Sequence, residues 1–505
     1  LRKYVFIVLS VLLLLTFATL VYAEEPQIKL GGRIMVRGWY FHNAQFFNSG
    51  LGTGTNAVPG EIVKGVEAED AALWTSDISL TVDAKVSDNV QGFIELEISQ
   101  GEISQRQMDG FGSGSVENVQ SGSYTWGGGP SAFQSYDSKP NADMRLRQAW
   151  IQYTGSGLLG VPVGIKIGHQ LITLGEKQFL THERFGDDAL VLFVNPTKEL
   201  TLAAATAKLN EGLYTLPGDD IDAYVLMGTY KVNKDNTLGL YYFYADSDDL
   251  TQAFGGAYAT TERNGLSFQD LGVHANGMLA GIISYALEVD AQFGKAEVQP
   301  DATNLISTDD LKYSGYGIYL KGGYKIPDTP LNLRASFAYG SGDQDGLDDN
   351  KIDEFQACMG FDSEVALDRF VHYTQIYEHT IATAALIQTL GGRGAIFGPH
   401  RNTGIANTTY FNLGADLAAT KDLSLSLDGF LLRASKVGGW EELVGDDVSK
   451  SVGWEVDFKG SYKLAKNLNY FVEAGYFSPG SFYENTFVDD RNSVTQIIHG
   501  LNLTF

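Results

Sequence analysis

From Glu24 onward, apolar and polar residues alternate over runs of roughly ten residues or more, and this period-two pattern narrows what the chain can become. Ile28, Leu30, Ile34, Val36 and Tyr40 fall on one side of a strand, with Lys29, Arg33 and Arg37 on the other. Trp74, Ile78, Leu80, Val82, Ala84 and Val86 alternate with Thr75, Asp77, Ser79, Thr81, Asp83 and Lys85. Val452, Trp454, Val456, Phe458, Tyr462 and Leu464 alternate with Glu455, Asp457, Lys459, Ser461 and Lys463. Successive side chains of a strand point to opposite faces, so each run predicts a strand with one apolar and one polar face. In a soluble sandwich the apolar face turns inward; in a membrane barrel it turns outward, to lipid.

Strand length separates these two outcomes. Soluble strands average about five or six residues, whereas a tilted strand needs about nine to eleven to cross a bilayer. The connections also alternate. Ser87-Asp88-Asn89, Asn233-Lys234-Asp235-Asn236, Pro327-Asp328-Thr329-Pro330, Thr420-Lys421-Asp422 and Lys466-Asn467 are tight, whereas 43–73, 100–143 and 341–406 are long. Short periplasmic turns and long outer loops give a barrel this asymmetry. The last strand places Ile497, His499, Leu501, Leu503 and Phe505 on one face, an aromatic ending of the kind that barrel-assembly machinery reads. The expected fold is all-β: a closed antiparallel transmembrane barrel of about eighteen strands, with sixteen as the alternative count. The expected location is the bacterial outer membrane, among lipid and lipopolysaccharide.

Composition removes other classes. A net charge of −25 argues against nucleic acid, because a phosphate-binding surface must be basic. Residues 1–23 read as a secretory signal: Arg2 and Lys3, an apolar stretch from Tyr4, then Val21-Tyr22-Ala23 before Glu24, with cleavage expected after Ala23. Residues 24–505 then form a single barrel. Cys358, the only cysteine, has no internal disulfide partner. No Gly-x-Ser-x-Gly, His-Glu-x-x-His or Cys-x-x-Cys-His is present, so neither a catalytic residue nor a cofactor is expected. His372 and His379, spaced for one helix face, offer only a remote metal or haem reading.

Within 144–195, Arg145-Leu146-Arg147-Gln148-Ala149-Trp150 is followed by Gly168-His169-Gln170 and then by Gly175-Glu176. This resembles the alginate-export family of outer-membrane barrels, which carry Arg-x-Arg-Gln-Ala-aromatic on one strand and Gly-Arg-Gln with Gly-Asp/Glu on the next hairpin. The resemblance implies an eighteen-stranded barrel with an electropositive constriction that passes an anionic polysaccharide. His169 stands where the family has Arg, which lowers the positive charge expected there.

The candidate solute path is a basic inner wall of Arg33, Arg37, Arg145, Arg147, Lys166, His169, Lys321 and Arg334. A ring of cations selects anions by field and by bidentate contact. The competing reading is cross-strand neutralisation: Asp77 and Asp83 lie beside Arg33 and Arg37, and Glu95 and Glu97 beside Arg145 and Arg147. The two readings are compatible. Asp343, Asp345, Asp348, Asp349, Asp353 and Glu354 loosely resemble a calcium loop but read better as a solvated acidic loop, and no metal is expected. Tyr40, Phe41, Trp150, Tyr241–Tyr244, Tyr316, Tyr470 and Tyr476 read as interfacial girdles, with inward rings such as Phe243 or Phe471 able to stack on sugars. Segments 100–143 and 341–406 are candidates to fold into the mouth, the second with a short helix near Phe370–Leu390. Function is therefore expected to be passive diffusion or export of anionic or polysaccharide-like solutes through a monomeric channel. The alternatives are a barrel sheathing a partner such as a multihaem cytochrome, or a surface adhesin.

Overall fold

A computed structural model describes residues 26–43, 71–100, 143–157, 160–210, 220–248, 263–298, 310–345, 350–357, 373–377, 404–486 and 492–505. The signal segment, Cys358, His372, His379 and most of the long loops lie outside the described residues.

The alternating runs join into one sheet. Its first strands are β1 (Gln27–His42), β2 (Ala71–Ser87), β3 (Val90–Gln100), β4 (Asp143–Gly155), β5 (Val163–Thr173), β6 (Thr181–Val194) and β7 (Leu200–Asn210). They continue with β8 (Ile221–Asn233), β9 (Asn236–Ser247), β10 (Arg263–Leu279), β11 (Ile283–Val298), β12 (Leu311–Tyr313), β13 (Tyr316–Lys325) and β14 (Leu331–Gly340). The remainder are β15 (Lys351–Ile352), β16 (Thr408–Leu417), β17 (Leu423–Ala434), β18 (Ser451–Ala465), β19 (Leu468–Pro479) and β20 (Val494–Thr504). Strand β12 caps the line of β13 along β11, and β15 is a two-residue strand parallel to it. Without these two short pieces the barrel has eighteen strands, all antiparallel, which resolves the choice against sixteen.

Closure comes from β1, which pairs with β2 on one side and β20 on the other: Arg33 stands opposite both Ser79 and Thr504. Phe505 completes the seam. Its amide and carbonyl exchange hydrogen bonds with Gly32 at 3.0 and 2.9 Å. Any Cβ at Gly32 would lie 2.4 Å from the Ser79 carbonyl and 2.8 Å from the Phe505 ring, so this crossing requires glycine.

Burial follows the pleat with the sense a membrane barrel demands. On β16, Leu413 is 73% exposed on the outside, whereas its inward neighbour Asn412 is 5% exposed. Short connections gather at one end, and left-handed residues Asp328 (φ 60°) and Asn467 (φ 63°) tighten two of them. In bacterial barrels such turns mark the periplasmic side. Among the described residues no helix is long and apolar enough to cross a membrane; crossing is done by strands.

Several side chains depart from the expected girdle. Tyr241, Phe243, Phe41 and Trp150 point inward. Phe243 is fully buried against Phe179 and Phe268, so it has no open face to offer a sugar. Period two places a residue on a face, but it cannot say whether chain from elsewhere will cover it.

Candidate functional site

The lumen is the site, and its two halves differ. Segments of chain fold back into it, one against the outer part of β18 and one deep enough to bring Glu176 within three residues of the periplasmic end of β10. Residues 174–180, between β5 and β6, turn inward and bury Leu174, Phe179 and Leu180. Phe179 packs edge-on against Phe243 at 5.0 Å and stacks near Phe268 and Tyr241. Residues 373–377 enter the barrel beside β18, with Tyr373 stacked on Tyr410 at 4.5 Å. These are the only described residues of the expected 370–390 helix.

Carboxylates on the wall hold these segments by their backbone. Fully buried Glu455 accepts hydrogen bonds from the amides of Gln375 (2.9 Å), Ile376 (2.6 Å) and Tyr377 (2.8 Å), and Asp457 accepts from the Gln375 amide at 3.1 Å. Across the lumen, Glu288 accepts from the amides of Glu176 and Gln178, the latter at 3.4 Å. The Tyr241 hydroxyl lies between Glu288 (3.0 Å) and Asp290 (2.5 Å). A charged acceptor roughly doubles the strength of such bonds, and the dry surroundings strengthen them further. Gln292 completes a third clamp: its side chain donates to the Gln356 carbonyl (2.8 Å) and accepts from the Gln356 amide (2.7 Å). The Glu176 side chain accepts from Asn276 at 2.6 Å and lies 3.6 Å from His274. Burial works to raise this carboxyl, but hydrogen bonds from His274 and Asn276 outweigh it and hold it below the usual range.

The predicted arginines are largely tied to acids. Arg147 sits at a bulge between β3 and β4 and meets Glu95 at 2.7 Å and Glu97 at 3.8 Å. Arg33 pairs with Asp77 at 3.0 Å. Arg334 grips Asp428 with both terminal nitrogens (3.0 and 2.8 Å) and Asp416 through Nε at 2.7 Å. Arg37 is buried, with its guanidinium 5.3 Å from the Trp39 ring. Arg145 lies on β4 opposite Glu97. Lys166 points inward, 4.1 Å above the Trp150 ring, which stacks on Phe93 at 5.3 Å. Lys321 is inward and exposed, close enough to act on Glu176. His169 departs from the set. The register places it on the outward face with exposed Ile167 and Ile151, where it meets the outward Asp188 at 2.9 Å. Three residues from inward Lys166 on the same regular strand, His169 takes the opposite face by alternation alone, so the two could not share the inner wall.

Below the plug the lumen opens into a cavity of about 670 Å³. It runs from Trp39 and Ile498 down to Pro330 and Ala418 at the periplasmic turns. Arg33, Arg37 and Lys459 line it, with Asp416 and Glu473, the amides of Asn332, Asn469 and Asn502, and the Phe471 ring. Lys459, Glu473 and the asparagines were missed as site residues; period two marks them as inward, but only closure brings them together. The suspected calcium loop is only partly described. Its Asp343 and Glu354 are buried rather than solvated, and among the described residues no cluster of ligands could hold a metal.

Solved structures of similar shape are outer-membrane channels. A variant of OccD1 (OprD) shares 12% identity over 96% of this chain and 97% of that one, with a TM-score of 0.48. OccK8 (OprE) of Pseudomonas aeruginosa shares 11% over 94% and 98%, with a TM-score of 0.49. The outer-membrane channel DcaP of Acinetobacter baumannii shares 11% over 95% and 98%, with a TM-score of 0.42. At such identities, what those channels carry says nothing of this one. No curated protein matches the chain. The family described as Alginate export matches residues 63–496, most of the length, and the protein belongs to that family of outer-membrane barrels.

Proposed function

We propose that the protein is a monomeric diffusion channel for anionic or sugar-like solutes. The observation that carries this reading is the cavity above the periplasmic turns. It is large enough for a sugar-sized solute and mixes cations (Arg33, Lys459) and acids (Asp416, Glu473) with planar amides (Asn332, Asn469, Asn502) and the ring of Phe471. Amides suit hydroxyl pairs, rings suit the apolar faces of pyranoses, and ammonium and guanidinium groups suit carboxylates. Membership in the alginate-export family agrees with this chemistry. The sheath reading has less support, because the inward segments 174–180 and 373–377 occupy lumen that a protein partner would need. Barrel-assembly machinery reading Phe505, and lipopolysaccharide around the rim, belong to the same proposal.

The test is single-channel recording of the refolded full chain in a planar bilayer, with the reversal potential measured under a salt gradient. Open steps with a reversal potential displaced toward the anion value are expected. A folded barrel that never conducts, or one that prefers cations, overturns the reading.

A further inference from the structure

Charge in the lumen is sorted by height, and the sorting is not visible in the net charge of −25. The strand registers, followed around the closed sheet, define the inward side of every strand near its periplasmic end. Counting strand residues within four positions of those ends, the inward charged residues are Lys29, Lys85, Lys166, Lys231, Lys321, Lys325, Arg334 and Lys463, against Asp83 and Asp416; the turns beyond carry Lys198, Lys234, Lys421 and Lys466 with Asp88, Glu199, Asp235, Asp328 and Asp422. Asp416 is already engaged by Arg334 at 2.7 Å, and Asp83 accepts from Gln91 at 2.8 Å. Lys29, Lys85, Lys231, Lys325 and Lys463 are all exposed, each on a different strand, around the mouth. Lys85 bonds the turn residue Asp88 at 2.5 Å, and that bond holds the Asp88 carboxyl below its usual range. The inward acids Glu288, Asp428 and Glu473 stand next, each five residues from its periplasmic strand end, and the buried acids Glu95, Glu97, Asp270, Asp290, Glu455 and Asp457 stand as far or farther up the wall.

We infer that these lysines form a collar at the periplasmic mouth that receives polyanionic chains, and that they make the channel electrically one-sided. The inference rests on the channel reading and adds where along the pore, and by which side chains, an anion is first held. Exposed ammonium groups are hydrated point charges on flexible stems, so they attract repeated carboxylates without gripping any one of them. A pore with exposed cations gathered at one mouth accumulates anions there and conducts unequally at the two voltage polarities. Screening shortens the reach of the field from about 10 Å at 0.1 M salt to about 3 Å at 1 M.

The experiment compares the full-length wild type with a variant carrying Lys29→Gln, Lys85→Gln, Lys231→Gln, Lys325→Gln and Lys463→Gln. Heat-modifiable gel mobility checks that both barrels are folded. In oriented bilayers, wild type should rectify at 0.1 M salt and lose rectification at 1 M. Poly-L-glutamate added to the periplasmic-turn side should block at about tenfold lower concentration than from the other side. The variant should conduct without rectifying and lose that difference. A wild type that conducts symmetrically and is blocked equally from both sides overturns the collar and leaves the channel reading standing. If the folded wild type does not conduct, the channel reading fails, and the collar is judged by equilibrium binding of fluorescent poly-L-glutamate to the solubilised protein. Salt-sensitive binding lost in the variant supports the collar; equal binding by both proteins, or none, overturns it.

Discussion

The wall around the inserted segments and the periplasmic rim of the lumen are built from the same strands but handle charge in opposite ways. Around the inserted segments acids are buried and given donors: Glu455 takes three backbone amides, and Glu288 takes amides of the 174–180 turn. At the periplasmic rim Lys29, Lys85, Lys231, Lys325 and Lys463 are exposed, and Lys85 is bonded to the turn residue Asp88. Where backbone fills the lumen, a charge must be compensated, because an uncompensated buried ion costs several kcal/mol. Where the lumen is open, an exposed ammonium costs little and stays available to a solute. Occupancy of the lumen, more than residue type, separates structural from functional charge here.

That contrast can be broken most strongly at Arg147. Arg147→Ala leaves Glu95 and Glu97 buried without it, and a loss of about 3–5 kcal/mol is expected in chemical unfolding of the detergent-solubilised barrel. Arg147→Lys should recover only part of that, since a single ammonium cannot reproduce the fork. A Arg147→Ala barrel as stable as wild type would mean that these acids are not dependent on their cation.

Phe179→Ala tests whether the inward turn is a packed core or a loose flap. A cavity among Tyr241, Phe243 and Phe268 should cost about 3–5 kcal/mol if the surroundings stay put, and less if they collapse. Glu455→Gln keeps the shape but turns a charged acceptor into a neutral one. The loss should be about 1–3 kcal/mol, with longer or larger open states in single-channel records as residues 373–377 come away from β18. Conductance and dwell times identical to wild type would show that this segment does not govern opening.

The smallest expected effect is the pH response of Glu176. Its carboxyl is held below the usual carboxylate range, so it contributes stability above its unfolded value and loses the contribution as pH falls through its lower folded value. Glu176→Gln should therefore flatten the acid limb of stability against pH without moving the neutral region. An unchanged acid limb would show that the contacts with His274 and Asn276 are not the source.

Much of the architecture was legible before any coordinates. The alternating runs from Ile28 to Tyr40, Trp74 to Val86 and Val452 to Leu464 lie within β1, β2 and β18, because a strand one face of which meets lipid cannot hide its period. The pairing of Arg33 with Asp77, and of Arg147 with Glu95, was legible as the neutralising alternative for the basic wall. The odd spacing of His169 from Lys166 also puts it on the outer face, against its place in the basic wall; the burial of Tyr241 and Phe243 was not legible. Aromatic rings near strand ends look alike in sequence whether they meet headgroups or an inserted turn.

By itself the sequence determined the fold class, the long and short ends, and the alternation along each run, since these follow from local pattern and turn chemistry. Only the tertiary structure decided which inward charges are spent and which remain open to a solute. That depends on where 174–180 and 373–377 come to rest and on strands as far apart in sequence as β1 and β20 closing side by side. Alternation is a property of neighbours along the chain; compensation of charge is a property of neighbours in space.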